Sequence, residues 1–235
     1  MPDPILPDEI TGEELDRNLK HELSSLGPFI SVIVARHLVM ASALLDIDPD
    51  LAWQHAQAAA RRAGRIGSVR EAAGVAAYRA GRYAEALREL RTAKRLTGSL
   101  DYLPMIADSE RGLGRPERAL EIASSADVAR LGSAEQAEML IVAAGARIDR
   151  GEAAAAVASL QVAELSKPGR TAVRDRLRAA YALALAAAGR PDEAAVWRER
   201  AGLTEDEVDE QPDVDQLPDS QIVDLLLLEA EDETS

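Results

Sequence analysis

His21, His37 and His55 are the only histidines in this 235-residue chain. A metal site or a general base would draw on their imidazole nitrogens, usually with a second ligand at helical spacing such as His-Glu-x-x-His. No such spacing occurs. His37 lies in Val34-Ala35-Arg36-His37-Leu38-Val39, whose apolar surroundings predict a packed or hydrogen-bonded ring and not a catalytic one. The chain has no cysteine, which excludes disulfides, thiolate ligands and a thiol nucleophile. Ser124 and Ser125 lack a nucleophile-elbow context. No phosphate-cradling glycine loop is present, and Gly64-Arg65-Ile66-Gly67 reads as a turn between helices. These residue types predict no catalytic residue, no bound cofactor and no metal, so an enzyme is not expected.

The arginines are the other candidates. Arg61, Arg62, Arg65 and Arg70 surround one predicted turn, and Arg79, Arg82, Arg88, Arg91, Lys94 and Arg95 follow. Such a patch could hold an acidic peptide or RNA phosphates. The competing reading is a set of solvated helix faces balanced by Glu71, Glu85 and Glu89, and it covers most of these residues. RNA is disfavoured, because aromatics are only 3% of the chain and stacking platforms are scarce. No DNA-binding module is recognisable.

Charge is unevenly distributed. The net charge is −14, yet residues 204–235 contain thirteen acids and no Lys or Arg. The stretch 23–203 is mildly basic, and residues 1–22 are acidic. Basic residues are nearly all Arg, which with abundant Ala fits a GC-rich bacterial genome. Met1-Pro2-Asp3-Pro4 lacks a basic region before an apolar run, so no signal peptide is expected. No apolar run approaches the roughly 20 residues that span a bilayer. The expected location is the cytoplasm, with no membrane partner.

Helix punctuation is dense. Thr11 with Glu14 reads as a capping box opening a helix over about 12–25, which Gly27 stops. Pro28 opens a second, about 29–46. Asp48-Pro49 opens a third that Gly64 closes. Ser68 with Glu71 is a further capping box, and its helix stops at Gly81. The next runs from about 83 to Gly98. Asp101 is read as the cap of a helix ending at Gly114, and Pro116 starts another. Ser124 to Gly132 is a longer connection. Ser133 with Gln136 caps a helix ending near Gly151, and one more runs to about 166. The last two cover about 171–188 and 191–201. No strand alternation appears, so the fold is predicted all-α, with about ten helices and a short C-terminal one. The segments are an acidic arm and capping helix (1–27), a helical array (28–202), an acidic linker (203–218) and an acidic-hydrophobic tail (219–235).

One turn recurs through the array. It is Gly81-Arg82-Tyr83-Ala84-Glu85-Ala86-Leu87, then Gly114-Arg115-Pro116-Glu117-Arg118-Ala119-Leu120, then Gly151-Glu152-Ala153-Ala154-Ala155-Ala156-Val157, then Gly189-Arg190-Pro191-Asp192-Glu193-Ala194-Ala195. The glycines are spaced by 33, 37 and 38 residues, the signature of stacked helical hairpins. Here the chain resembles the tetratricopeptide repeat (TPR) family. The best copy, 67–100, has Gly74, Gly81, Tyr83, Ala86 and Ala93 at the family's small, glycine and aromatic positions. Ala107, Gly114, Pro116, Ala119 and Ala126 mark the next copy. Ala144, Gly151, Ala153, Ala156 and Ala163 mark the third, and Ala182, Gly189, Pro191, Ala194 and Ala201 the fourth. A divergent earlier copy aligns on Trp53, Ala56 and Ala63. The layout is also similar to that of TPR proteins from high-GC Gram-positive bacteria, a likeness that implies no activity.

The resemblance implies a right-handed superhelical array of antiparallel hairpins whose groove binds another protein or peptide. Carried over residue by residue, the groove comprises Ser68, Glu71, Val75 and Tyr78, then Asp101, Pro104, Asp108 and Arg111. Further along come Glu138, Ile141, Gly145 and Ile148, then Arg176, Ala179, Leu183 and Ala186. The Lys/Asn clamp for chaperone carboxylates is missing, since Glu71 and Val75 stand where it wants donors. The tail holds Ile222, Leu225, Leu226, Leu227 and Leu228 between acids. It would either fold back over the array or serve as a motif for another protein's groove. A non-catalytic adaptor or scaffold is the expected function. A regulatory sensor acting through a partner, or an RNA- or ribosome-associated factor, are the alternatives.

Overall fold

Asp48-Pro49 shows how local chemistry builds this chain. The Asp48 carboxylate accepts from the Leu51 amide at 2.9 Å, and Pro49 occupies the first helical position, where its missing N–H costs nothing. Thr171 does the same at another start, accepting from the Arg174 amide at 3.2 Å. The structure is a computed structural model and describes residues 2–203. All regular structure among them is helical. The tail residues Ile222 and Leu225 to Leu228 lie outside the described residues.

The helices are α1 (Arg17–Leu23), α2 (Pro28–Ala43), α3 (Pro49–Ala63), α4 (Gly67–Arg79), α5 (Tyr83–Thr97), α6 (Leu103–Gly112), α7 (Pro116–Ala123), α8 (Ser133–Asp149), α9 (Ala153–Leu160), α10 (Ala163–Ser166), α11 (Ala172–Ala187) and α12 (Pro191–Ala201). A 3₁₀ turn, Ala126–Arg130, joins α7 to α8. Contacts follow chain order. α2 packs on α3, α4 on α5, α6 on α7, α8 on α9 and α11 on α12. The first members also touch in succession, α2 with α4, α4 with α6, α6 with α8 and α8 with α11. Among the described residues no helix is long and apolar enough to cross a membrane.

Several expected boundaries are corrected. The first helix begins at Arg17, not near 12. Asp16 caps it, accepting from the Asn18 and Leu19 amides at 2.8 and 3.0 Å. Thr11 and Glu14 do bond to each other, Glu14 accepting from the Thr11 amide at 3.0 Å. That contact closes a turn ahead of the helix. α2 ends at Ala43 and not near 46. Ser68, Asp101 and Ser133 cap nothing: the caps of α4, α6 and α8 are Ile66, Tyr102 and Gly132, without side-chain hydrogen bonds. The helix expected to reach 166 breaks at Gln161, leaving α9 and the single turn α10.

The core is built mainly from small side chains. Ala86, Ala119, Ala156 and Ala194, the equivalent positions of the four recurring turns, are all fully buried. The four turn glycines all take left-handed φ between 66° and 78°, a conformation that costs Gly nothing and other residues about 1 kcal/mol. At Gly112 a Cβ would sit 2.5 Å from ring carbons of Tyr83. The bare backbone of α6 therefore receives the Tyr83 ring from α5. Ala126 and Ala163 depart from the pattern: both are exposed, because α7 ends early and α9 is interrupted.

Buried acids tie neighbouring helices together. Glu89 on α5 is paired with Arg70 from α4 and with Arg88, at 2.9 Å in the latter case. Glu110 on α6 is paired with Arg91 of α5 at 2.5 Å and Arg115 at 3.3 Å. The arginine cluster is thus balanced differently from expectation. Of Glu71, Glu85 and Glu89, only Glu89 takes part. The other partners are Asp3 for Arg61 and Arg62, Asp46 for Arg79, Asp50 for Arg82, Glu110 for Arg91 and Asp127 for Lys94.

Candidate protein-docking groove

α4, α6, α8 and α11 each present one face to a common groove of about 660 Å³. Each is the first helix of its pair, and each touches the next along the groove. Tyr78 and Arg79 come from the end of α4, and Asp108 and Arg111 from α6. Ile141, Gly145 and Ile148 form one stripe of α8, and Arg176, Ala180 and Leu183 belong to α11. The spacings of 4 and 3 along α8 put its three residues on one side of the helix.

A polar chain crosses the floor. The Tyr78 hydroxyl donates to Asp108 Oδ2 at 2.5 Å, and Arg111 Nε donates to Asp108 Oδ1 at 2.8 Å. Arg111 Nη1 then reaches Asp149 at 3.4 Å. Burial raises the phenol pKa of Tyr78, and its bond to Asp108 raises it further. A Cβ on Gly145 would lie 3.1 Å from Arg111 Nη1. Glycine there lets the guanidinium lie flat against α8.

Of the residues carried over from the family pattern, Tyr78, Asp101, Pro104, Asp108, Arg111, Glu138, Ile141, Gly145, Ile148, Arg176 and Leu183 line the groove. Glu71, Val75 and Ala179 do not, and on α11 the adjacent Ala180 takes the lining place. Ser68 and Ala186 are also outside it. Ser68 donates its hydroxyl to Glu22 of α1. Arg79, Tyr102, Met105, Glu135, Val142 and Ala144 line the groove without having been expected. Helical spacing from Glu138 and Ile141 could have pointed to Glu135 and Val142.

The groove's charges do not cancel. Asp101, Asp108, Glu135 and Glu138 supply four carboxylates, and Arg79, Arg111 and Arg176 supply three guanidiniums. Arg176 pairs with Glu138 at 2.6 Å, and Arg79 pairs with Asp46 outside the groove at 2.9 Å. Asp101 and Glu135 have no ion-pair partner among the described residues. Their influence is felt nearby. Glu71 has its pKa raised by burial and then by Glu22 and Asp101. Tyr102 is raised by burial, then by Glu71 and Asp101. Glu138 is raised chiefly by burial, against the pull of Arg176 and with a push from Glu135.

The histidines lie apart from this groove. His37 on α2 and His55 on α3 are buried and face each other, and His21 is exposed on α1. Among the described residues no three His, Asp or Glu side chains converge to hold a metal ion. Comparison of the chain with protein-family models, with curated proteins and with solved structures finds no match.

Proposed function

We propose that the chain is a protein-binding adaptor or scaffold of TPR-like architecture, and that a segment of a partner protein docks in the α4/α6/α8/α11 groove. One observation carries this reading: the first helices of four successive pairs line a single open groove in which Leu183 stands 67% exposed. An apolar side chain so exposed in a concave surface gains from being covered, by roughly 25 cal/mol per Å² removed from water. The TPR-like arrangement is supported by the matched burial of Ala86, Ala119, Ala156 and Ala194, and by the Tyr83 ring seated on Gly112. An RNA-binding role receives less support, since most of the arginine cluster is engaged in ion pairs.

A photo-crosslinking residue placed at Leu183 of the full chain tests the proposal in cells. The expected result is a discrete protein adduct that does not form when the same residue replaces Val196, which is 48% exposed on α12 and outside the groove. Identical adduct patterns from the two positions would remove the groove from consideration.

A further inference from the structure

The charge left over in the groove says what kind of segment fits it. Asp101 at the α6 end and Glu135 at the start of α8 have no cationic partner among the described residues, while each groove arginine is engaged by an acid. The same groove is lined by the apolar side chains of Ile141, Ile148 and Leu183. A ligand must answer both features, since an unmatched charge brought under a partner is costly and a matched one gives register.

Resting on the docking reading above, we propose that the groove's occupant is a segment of another protein that interleaves Lys or Arg with apolar side chains. Its cation stands against Asp101 and Glu135, and its apolar residues cover Ile141, Ile148 and Leu183. The same charges disfavour this chain's own tail as occupant. Residues 204–235 carry thirteen acids and no base, so their leucine run would bring carboxylates onto carboxylates. Burial is the main reason that Glu71, Tyr102 and Glu138 have raised pKa values, and Asp101 adds to the first two and Glu135 to the third. A bound ammonium or guanidinium relieves that repulsion.

Random peptides displayed on phage, selected on the immobilised full chain, test the proposal. The expected outcome is enrichment of peptides with Lys or Arg among apolar residues. A synthesised member should bind about tenfold more weakly to the Asp101→Asn/Glu135→Gln double variant, and more weakly as ionic strength rises. It should also lose affinity to Leu183→Gln, a change at an exposed position that leaves the fold intact, and to Gly145→Leu, which fills the groove. Acidic or uncharged winners that still need Leu183 and Gly145 overturn the cationic occupant but keep the groove. Displacement of the winner by a synthetic 216–232 peptide does the same in favour of the tail. Basic winners indifferent to Leu183→Gln and Gly145→Leu bind elsewhere and overturn the groove itself, as does a selection with no enrichment.

Discussion

His37 Nδ1 and His55 Nδ1 lie 3.0 Å apart in a buried contact between α2 and α3. One ring must donate and the other accept, so the contact exists only while at least one imidazole is neutral. Both rings are about 1% exposed. Burial lowers the pKa of His55 to about 4, helped by repulsion from His37. His37 is lowered by burial as well. Asp3 opposes that shift, and Arg62, Arg61 and Arg36 add to it.

The consequence is an acid-labile N-terminal end. A histidine whose folded pKa lies below its unfolded value binds more protons when unfolded. Its stabilising share is fully present above 6.5 and is lost as pH falls from 6.5 toward about 4. For His55 the loss reaches about 3 kcal/mol. Urea midpoints taken down this range should fall, and His55→Leu should flatten the slope while lowering the neutral-pH value. Asp3, held down to about 2 by Arg62 and then Arg61, adds a separate limb below 3.8 that Asp3→Asn should remove. A flat profile between neutrality and pH 4 would contradict the buried neutral pair.

Gly74 on α4 tests the close packing of the pairs. Its ideal Cβ would meet the Leu90 side chain and lie 3.1 Å from the Leu90 backbone nitrogen on α5. The Leu side chain can swing, but the backbone contact cannot be relieved without separating the helices. Gly74→Ala should therefore destabilise by about 1–3 kcal/mol despite the better helix propensity of Ala. Ala86→Trp, at a fully buried position on α5, should cost at least as much. Unchanged melting temperatures in both would contradict the α4–α5 crossing.

The buried carboxylates of Glu89 and Glu110 are 4% and 5% exposed, and each is ringed by two arginines. Removing one leaves cations at a poorly solvated crossing. Glu89→Ala should cost about 3 kcal/mol, chiefly by stranding Arg70, which is only 26% exposed. The Arg70→Met/Glu89→Leu double variant should recover most of that loss. If the double is as unstable as the single, the cost comes from lost volume and not from an unpaired charge.

Local punctuation made the helices legible wherever it needed no distant partner. Pro28, Asp48-Pro49, Pro116, Thr171 and Pro191 start helices as read, and the four turn glycines follow the ends of α4, α6, α8 and α11. It misled where a capping residue was present but another residue took the cap. Ser68, Asp101 and Ser133 are such cases, since the helices start from Ile66, Tyr102 and Gly132, one or two residues away. The break at Gln161 carries no Pro or Gly signal. Beyond it, α10 is tied to α11, the Leu165 carbonyl accepting from Arg178 thirteen residues on. In the groove, Tyr78, Asp108, Arg111 and Ile141 were readable from the repeat register. Glu135 lay outside that register, and only its helical spacing from Glu138, three residues on, could have pointed to it.

Arg178 on α11 is buried and ends among main-chain carbonyls. Its guanidinium donates to Lys167 O at 2.7 Å, Arg200 O at 3.1 Å, Gly169 O at 3.2 Å and Leu165 O at 3.4 Å. Two of these oxygens lie at the end of α10 and one in the last turn of α12, where carbonyls lack intrahelical partners and a cation is favoured. One side chain therefore closes two helix ends and the 167–171 connection onto α11. Arg178→Met keeps the apolar stem but leaves the Leu165, Lys167 and Arg200 carbonyls without donors in a site that water reaches poorly, Gly169 O keeping its bond from Arg174, a loss of about 3 kcal/mol. Amide exchange should quicken over 163–171 and 199–203 and remain unchanged in α4 and α5, because the core clusters of the two regions are separate. Arg178→Lys, with three donors on a point charge, should restore only part of the protection. Uniform quickening along the chain would mean that Arg178 supports the whole array instead of locking its C-terminal end.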